Sequence, residues 1–385
     1  MSKFIERAWY SGALWLYALW PLQWVFTQLA SRRRRRLSSA AERSPLPIVI
    51  VGNISVGGTG KTPLLIALCK HLQSKGFRPG VVSRGYGSKA PDYPFAVSAA
   101  TPVKEAGDEA LIIARHTQCP VIIDRDRCAA VSKLRKEFAV DVVLSDDGLQ
   151  HYSLERDIEI VVVDAQRGFG NGLCLPAGPL REPVARIAEA DFVAVNGRKR
   201  DVACVRETLL ANRVVWASSG RGARPVENKD GGKGATNTIN ETDSISLPAE
   251  GFALRAEPDC FINLLSGEKR PYEGAPFKMG AKLQAVSGLG NPQRFYQLLA
   301  ELPYTFETHS FVDHHWFTEQ DFEGFDSIQP IVMTEKDAVK VADFAEKNYW
   351  YLTIKVKLPE RFLVSFDKRL SATINRRQLK QSSKH

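Results

Sequence analysis

The stretch Ile48-Val49-Ile50-Val51-Gly52-Asn53-Ile54-Ser55-Val56-Gly57-Gly58-Thr59-Gly60-Lys61-Thr62-Pro63 passes from an apolar β-branched tetrad through a glycine turn into helical spacing that continues to Ser74. Polyphosphate needs close backbone approach and a nest of amide hydrogens at a helix amino terminus, and glycines in the turn permit both. The segment Ser55-Val56-Gly57-Gly58-Thr59-Gly60-Lys61-Thr62 therefore reads as a nucleotide-binding P-loop. Lys61 would reach the β- and γ-phosphates, and the Thr62 hydroxyl would ligate Mg2+. One position departs from the usual pattern: Ser55 stands where a glycine is expected, five residues before Gly60.

Working outward, the same β-branched texture recurs at Val81-Val82-Ser83, Val121-Ile122-Ile123, Val142-Val143-Leu144, Ile160 to Val163 and Phe192 to Val195. Runs of this kind are strands buried on both faces. Helical patterns at Pro63 to Ser74 and Asp108 to His116 separate them, which predicts an α/β fold, a doubly wound parallel sheet of P-loop NTPase type over residues 39–220. Residues 221–250 read as a flexible linker, because Arg224 to Ile245 is rich in Gly, Asn, Thr, Asp and Lys. Residues 251–385 read as a smaller second α/β domain, with strands at Lys282 to Val286, Pro330 to Thr334 and Tyr351 to Ile354. A cleft between the two is the expected place for a substrate.

The 385-residue chain is 44% hydrophobic and 25% charged, a globular composition, and its net charge of +9 suits an anionic partner. Six cysteines without a Cys-x-x-Cys pair are expected to be reduced thiols. Residues 1–38 form a separate unit. Ala8 to Ala30 contains no Asp, Glu, Lys or Arg, holds Trp9, Trp15, Trp20 and Trp24, and is followed by Arg32 to Arg36. As one helix it would reach about 34 Å at ~1.5 Å per residue, which predicts a membrane-associated helix with its arginines against anionic lipid heads. Whether it spans or dips in stays open at this level, since Pro21 would kink it. Deleting Met1 to Ala30 is expected to remove membrane delivery and spare the chemistry.

A P-loop enzyme that uses Mg2+ needs an acidic residue at a neighbouring strand end, and Asp146 and Asp147 supply it after Val142-Val143-Leu144-Ser145. Adjacent carboxylates in an apolar setting repel, so a cation between them is expected, against a plain Asp-Gly turn. The continuation Asp146-Asp147-Gly148-Leu149-Gln150-His151 joins five other stretches in a fixed order. They are Gly57 to Pro63, Ser83-Arg84-Gly85-Tyr86-Gly87, Gly107-Asp108-Glu109, Leu175 to Pro183 and Phe311-Val312-Asp313-His314-His315. Together they resemble the tetraacyldisaccharide 4'-kinase family.

That resemblance implies a Gram-negative bacterial enzyme that uses ATP and Mg2+ to phosphorylate the 4'-hydroxyl of the lipid A disaccharide precursor. It implies work at the cytoplasmic face of the inner membrane, with the lipid surface as partner, no nucleic acid and no obligate protein partner. It also implies that Asp108 and His314 pair to accept the hydroxyl proton, with Lys61 as the third catalytic residue. By the same likeness Arg84, Arg181, Glu182 and His151 are candidates for binding the sugar, its phosphate or ATP. Taken alone, Asp108 could equally be a helix cap, because Gly107-Asp108-Glu109 precedes a helical run. His314 and His315 point apart on an extended chain, which argues against joint metal ligation. Two rivals follow from the residues: a membrane-recruited ATPase of the partitioning type and a nucleic-acid-binding ATPase. Val56 stands where the first carries a signature lysine, and the arginines sit beside an apolar run instead of interleaving with exposed aromatics.

Overall fold

A computed structural model describes residues 3–41, 44–212, 214–216 and 249–382. The chain begins with α1 (Lys3–Ser11), a 3-10 turn (Leu14–Leu19) and α2 (Trp20–Ser39). Then come β1 (Ile48–Gly52), α3 (Lys61–Ser74), β2 (Pro79–Ser83), β3 (Phe95–Val97), α4 (Val103–Ala106), α5 (Asp108–Thr117), β4 (Val121–Ile123) and α6 (Arg127–Glu137). β5 (Val142–Asp146), β6 (Ile158–Asp164), β7 (Phe192–Asn196), α7 (Lys199–Ala211) and β8 (Val215–Trp216) follow. The last part is β9 (Glu250–Asn263), β10 (Lys269–Pro271), β11 (Lys282–Ser287), α8 (Pro292–Leu299), β12 (Thr305–Ser310), β13 (Ile331–Thr334), α9 (Glu335–Val341), β14 (Tyr349–Lys357) and α10 (Glu360–Ser382). The linker expected at Arg224 to Ile245 lies outside the described residues.

All six strands expected in the first half form, and they run parallel in the order β7-β6-β1-β5-β2-β4. Every residue of β1, β5 and β6 is buried, which explains the apolar runs Ile48 to Val51, Val142 to Leu144 and Ile160 to Val163. One face packs Leu64, Leu68, Leu111 and Ile113 of α3 and α5 with Phe362 and Phe366 of α10. The other packs Leu134 of α6 and Val205 and Leu209 of α7. The sheet is doubly wound, and the second α/β half is present.

The two halves share one sheet. β9 lies parallel to β7 through Glu250 to Leu254 and antiparallel to β14 from Arg255 onward. It reads poorly as a strand because Pro258 interrupts it and charged residues alternate along it; a register shift opposite, between Leu352 and Ile354, accommodates that region. Beyond β14, the order continues β13-β11-β12, all parallel. This continuity fixes the loop after β12, which carries His314, relative to the amino end of α5.

The amino-terminal run differs from a single helix of 23 residues. Gly12, with φ of +70°, ends α1, and Ala13 is extended before the chain turns again. Pro21 sits in the first turn of α2, where its missing N–H costs nothing. No helix among the described residues is long and apolar enough to cross a membrane. Trp9 and Leu16 are buried, with Val56 and Leu175 packed against them. Outward, Trp20 and Trp24 are each 55% exposed and Leu14 is 81% exposed. The arginine cluster lies within α2 itself.

Candidate active site

The phosphate loop is held from behind. β1 ends at Gly52, and the loop closes at Gly60, whose φ of +91° and contact with the Asn196 side chain leave no room for a Cβ. Asn196 at the end of β7 donates to the Thr59 carbonyl at 2.9 Å, and Asn53 donates to the Gly57 carbonyl at 3.3 Å. The stretch Leu175 to Pro183 supplies a wall, since the Val56 amide donates to the Pro179 carbonyl and the Arg181 amide to that of Ile54. The bulky Val56 is thereby explained: it belongs to the apolar cluster around Trp9 and Leu16.

Lys61 opens α3 and reaches the β5 end, its Nζ 3.5 Å from Asp147 Oδ1. Asp147 adopts a left-handed φ of +46°, which turns its carboxylate toward both Lys61 and Arg181, the latter at 3.2 Å. Burial opposes its ionisation, but Lys61 and Arg181 outweigh that effect and hold it well below the usual carboxylate range. Asp146 behaves oppositely. It is 1% exposed, and burial together with the nearby negative charge of Glu109 pushes it up to about 7. Adjacent carboxylates thus sit in opposite protonation regimes.

Asn53 Oδ1, Thr59 Oγ1, Ser145 Oγ and Asp146 Oδ1 are buried and make no hydrogen bond among the described residues. Buried polar atoms are normally satisfied, so four unsatisfied ones on the loop and the adjoining strand end fit a polar ligand such as phosphate with its counter-ion. The described residues contain no group of three or more His, Cys, Asp or Glu placed to cage a metal. Thr62, Asp146 and Asp147 are the residues here that could hold an ion such as Mg2+, which takes one or two carboxylates and fills its other positions with phosphate oxygens and water.

Across from this site, Asp108 begins α5 and is 4% exposed, and its Oδ2 lies 3.1 Å from Nδ1 of His314. Its Oδ1 accepts the Glu109 amide at 2.8 Å. His314 has a left-handed φ of +60°, with its amide on the Gly288 carbonyl at 3.2 Å and its ring 4.4 Å from that of Tyr86. The two residues sit 206 positions apart, and the structure brings them into contact. Burial disfavours an ionised Asp108, but the hydrogen bond from His314 and the charges of Lys336 and Lys340 prevail and hold it well below the usual range.

The remaining candidates divide. His151 is half-buried, and burial with Arg127, Arg84 and, more weakly, Arg33 of α2 pushes it down to about 4, so it is neutral near pH 7. Arg84 is exposed at the β2 end. Arg181 bridges Asp147 and Gln150. Glu182 is buried and accepts from Gln150 at 2.8 Å and from the Tyr152 hydroxyl, with Arg186 at 3.6 Å. It braces the wall of the site from inside.

Sequence reasoning missed Arg127, Lys340 and Lys336. Arg127 is 1% exposed, donates to the Asp146 carbonyl at 3.2 Å and is pulled down to about 10 by its burial. Lys340 is 2% exposed and lies 3.3 Å from Asp108 and 3.7 Å from Asp337. Asp337 in turn accepts the Gly288 amide at 3.0 Å, so this pair steadies both Asp108 and the loop that carries His314. The charged run after β13 was the available signal, but it looks like solvated surface until the fold places α9 beside α5.

A sequence profile of the family Tetraacyldisaccharide-1-P 4'-kinase matches residues 15–371. The tetraacyldisaccharide 4'-kinase of Pseudomonas aeruginosa is 40% identical over 378 residues, 97% of this chain and 99% of the relative. That of Pseudomonas fluorescens is 41% identical over 373 residues, 96% of each. Among solved structures, an "apo" form of LpxK from Aquifex aeolicus in complex with ATP covers 94% of this chain and 99% of its own, with a TM-score of 0.66 at 24% identity, a likeness of fold. With a match over nearly its whole length and relatives of this similarity, the chain belongs to the tetraacyldisaccharide-1-phosphate 4'-kinase family.

Proposed function

We propose that this protein transfers the γ-phosphoryl group of ATP to the 4'-hydroxyl of the tetraacyldisaccharide 1-phosphate precursor of lipid A, at the cytoplasmic face of the inner membrane. The observation that supports the reading is the 3.1 Å contact between Asp108 and His314, a pair able to accept a hydroxyl proton. A sugar hydroxyl is a poor nucleophile at neutral pH and needs such an acceptor. Because Asp108 is held ionised so firmly, it is a weak base, and the imidazole is the better acceptor with Asp108 orienting it.

Backbone amides of Gly57 to Thr62 and the Lys61 ammonium hold the phosphates, and Lys61 leaves Asp147 to do so. Thr62, Asp146 and Asp147 would hold Mg2+, which neutralises charge on the transferring group. Arg84, Arg181 and His151 face the anionic parts of the substrates, with Glu182 and Gln150 behind them. The outward Trp15, Trp20, Leu22 and Trp24 rest in the membrane interface while the exposed arginines of α2 meet lipid phosphates, Arg34 being paired with Glu189. Incubation with ATP and the lipid disaccharide, with chromatographic separation of products, tests this. Formation of a 4'-phosphorylated lipid supports it, and ATP hydrolysis without that product refutes it.

A further inference from the structure

Lys336, in the first turn of α9, makes two contacts on the far side of the His314 ring. Its Nζ is 3.2 Å from His314 Nε2 and 3.1 Å from Glu109 Oε1. An ammonium can only donate, so Nε2 presents its lone pair to Lys336, and the ring proton resides on Nδ1 against Asp108. The ammonium is firmly charged: burial opposes it, but Glu109, Asp108 and Asp313 outweigh burial and hold its pKa above the usual lysine value. The Tyr86 ring packs against that of His314 at 4.4 Å, and Lys340 of α9 pairs with Asp108 at 3.3 Å. The nitrogen that must take a proton is therefore covered by a cation.

We infer that Lys336 is a further residue of the phosphoryl-transfer centre, capping the proton-accepting nitrogen of His314 until the acceptor hydroxyl displaces it. The inference rests on the kinase reading above. On displacement, Lys336 stays tied to Glu109 and its ammonium faces the reacting oxygens. The hydroxyl O–H bond then breaks with its proton passing to Nε2, and the oxygen forms its bond to the γ-phosphorus. The bond from that phosphorus to the bridging oxygen breaks, and ADP leaves with the electron pair. A cation beside the new imidazolium favours release of the proton to solvent, which resets the cap.

The experiment begins with wild-type protein, ATP and the lipid disaccharide; no phosphorylated lipid there refutes the kinase reading itself, independently of Lys336. Lys336→Met keeps the apolar stem and removes the charge. It is expected to lower kcat by on the order of 10²-fold, as for loss of one preorganised donor, with KM for ATP unchanged. The acid limb of its kcat/KM profile should move to higher pH, because an imidazole freed of a neighbouring cation protonates more readily. Lys336→Arg should leave the limb in place. A Lys336→Met enzyme with wild-type kcat, or with lower kcat and an unmoved acid limb, overturns the inference. Nitrogen-15 NMR of histidine-labelled wild-type protein reads the tautomer without any Lys336 variant, with the His314 signals assigned by their loss in His314→Ala. An Nδ1–H tautomer supports the cap, and an Nε2–H tautomer overturns it.

Discussion

Replacing Asp108 by alanine should damage turnover and stability through causes that can be separated. Asp108 and Lys340 are 4% and 2% exposed and 3.3 Å apart. Removing the carboxylate leaves a buried ammonium whose next carboxylate is Asp337 at 3.7 Å. Breaking one side of a buried ion pair costs about 3–5 kcal/mol. Losing the orienting partner of the base should slow transfer by on the order of 10²–10⁴-fold. His314→Ala should match the kinetic loss with far less destabilisation, because that side chain is 26% exposed and the Asp108–Lys340 pair survives. Adding Lys340→Met to Asp108→Ala removes the stranded charge and should restore about 1–3 kcal/mol of stability without restoring turnover. The double variant Asp108→Ala/His314→Ala should lose much less than the product of the single losses, since residues acting as a unit are not additive. Denaturant midpoints and turnover at saturating ATP and lipid, with little change in ATP affinity, would be measured on all five proteins. Asp108→Ala as stable as wild type would refute the buried-pair reasoning, and fully multiplicative losses would refute the catalytic pairing.

Lys61→Ala should abolish transfer and leave the circular dichroism spectrum unchanged; near-normal turnover would remove the loop from the chemistry. Alanine at Asp146 or Asp147 should raise the Mg2+ concentration needed for half-maximal activity, and superimposable titrations would reduce both to turn residues. Asp146 also titrates near 7 when folded, above the ~3.9 of an unfolded chain, so its neutral form adds stability that is complete below about pH 4 and lost as pH rises through about 7. Asp146→Asn should therefore be more stable than wild type at pH 8, by up to a few kcal/mol, because each tenfold change in proton affinity on folding is worth about 1.4 kcal/mol. The two should be comparable at pH 4, and equal midpoints at pH 8 contradict the assignment. Alanine at Trp15, Trp20 and Trp24 together should weaken binding to anionic vesicles by on the order of 10³-fold or more, from roughly 1.5–3 kcal/mol per buried aromatic at about 1.4 kcal/mol per tenfold, while detergent-dispersed substrate is still turned over. Unchanged sedimentation with vesicles would count against the interfacial reading.

The parallel half of the sheet was legible because its strands are buried on both faces and carry apolar runs of three or four residues, as in Val142 to Leu144 and Ile160 to Val163. The phosphate loop was legible because Gly57 and Gly60, with φ of +102° and +91°, have backbone reasons to be glycine, whereas the place of Asp108 opposite His314 followed only from family resemblance. No local pattern distinguishes Asp108 from a helix cap, and the two residues meet only because β9 carries one sheet through both halves. Pro258 and alternating charges concealed that strand. Lys336 and Lys340 were hidden for another reason: a lysine declares itself paired only when the fold supplies its carboxylates, here Glu109, Asp108 and Asp337. The break in the amino-terminal run was available in Gly12, but absence of charge suggested one continuous helix.

That break bears on which residues should be changed if the exposed apolar side chains of this region are to be reduced. Trp9 donates its indole N–H to the Pro176 carbonyl at 3.1 Å, and its own carbonyl accepts the Asn171 amide at 3.0 Å. Trimming Met1 to Ala30 would strip the cover from Val56 and Leu175 and trade one greasy surface for another, next to the nucleotide loop. The outward side chains at Trp15, Trp20, Leu22 and Trp24 are the ones to recolour with polar residues, while Trp9 and Leu16 stay as the plug that the loop closes against.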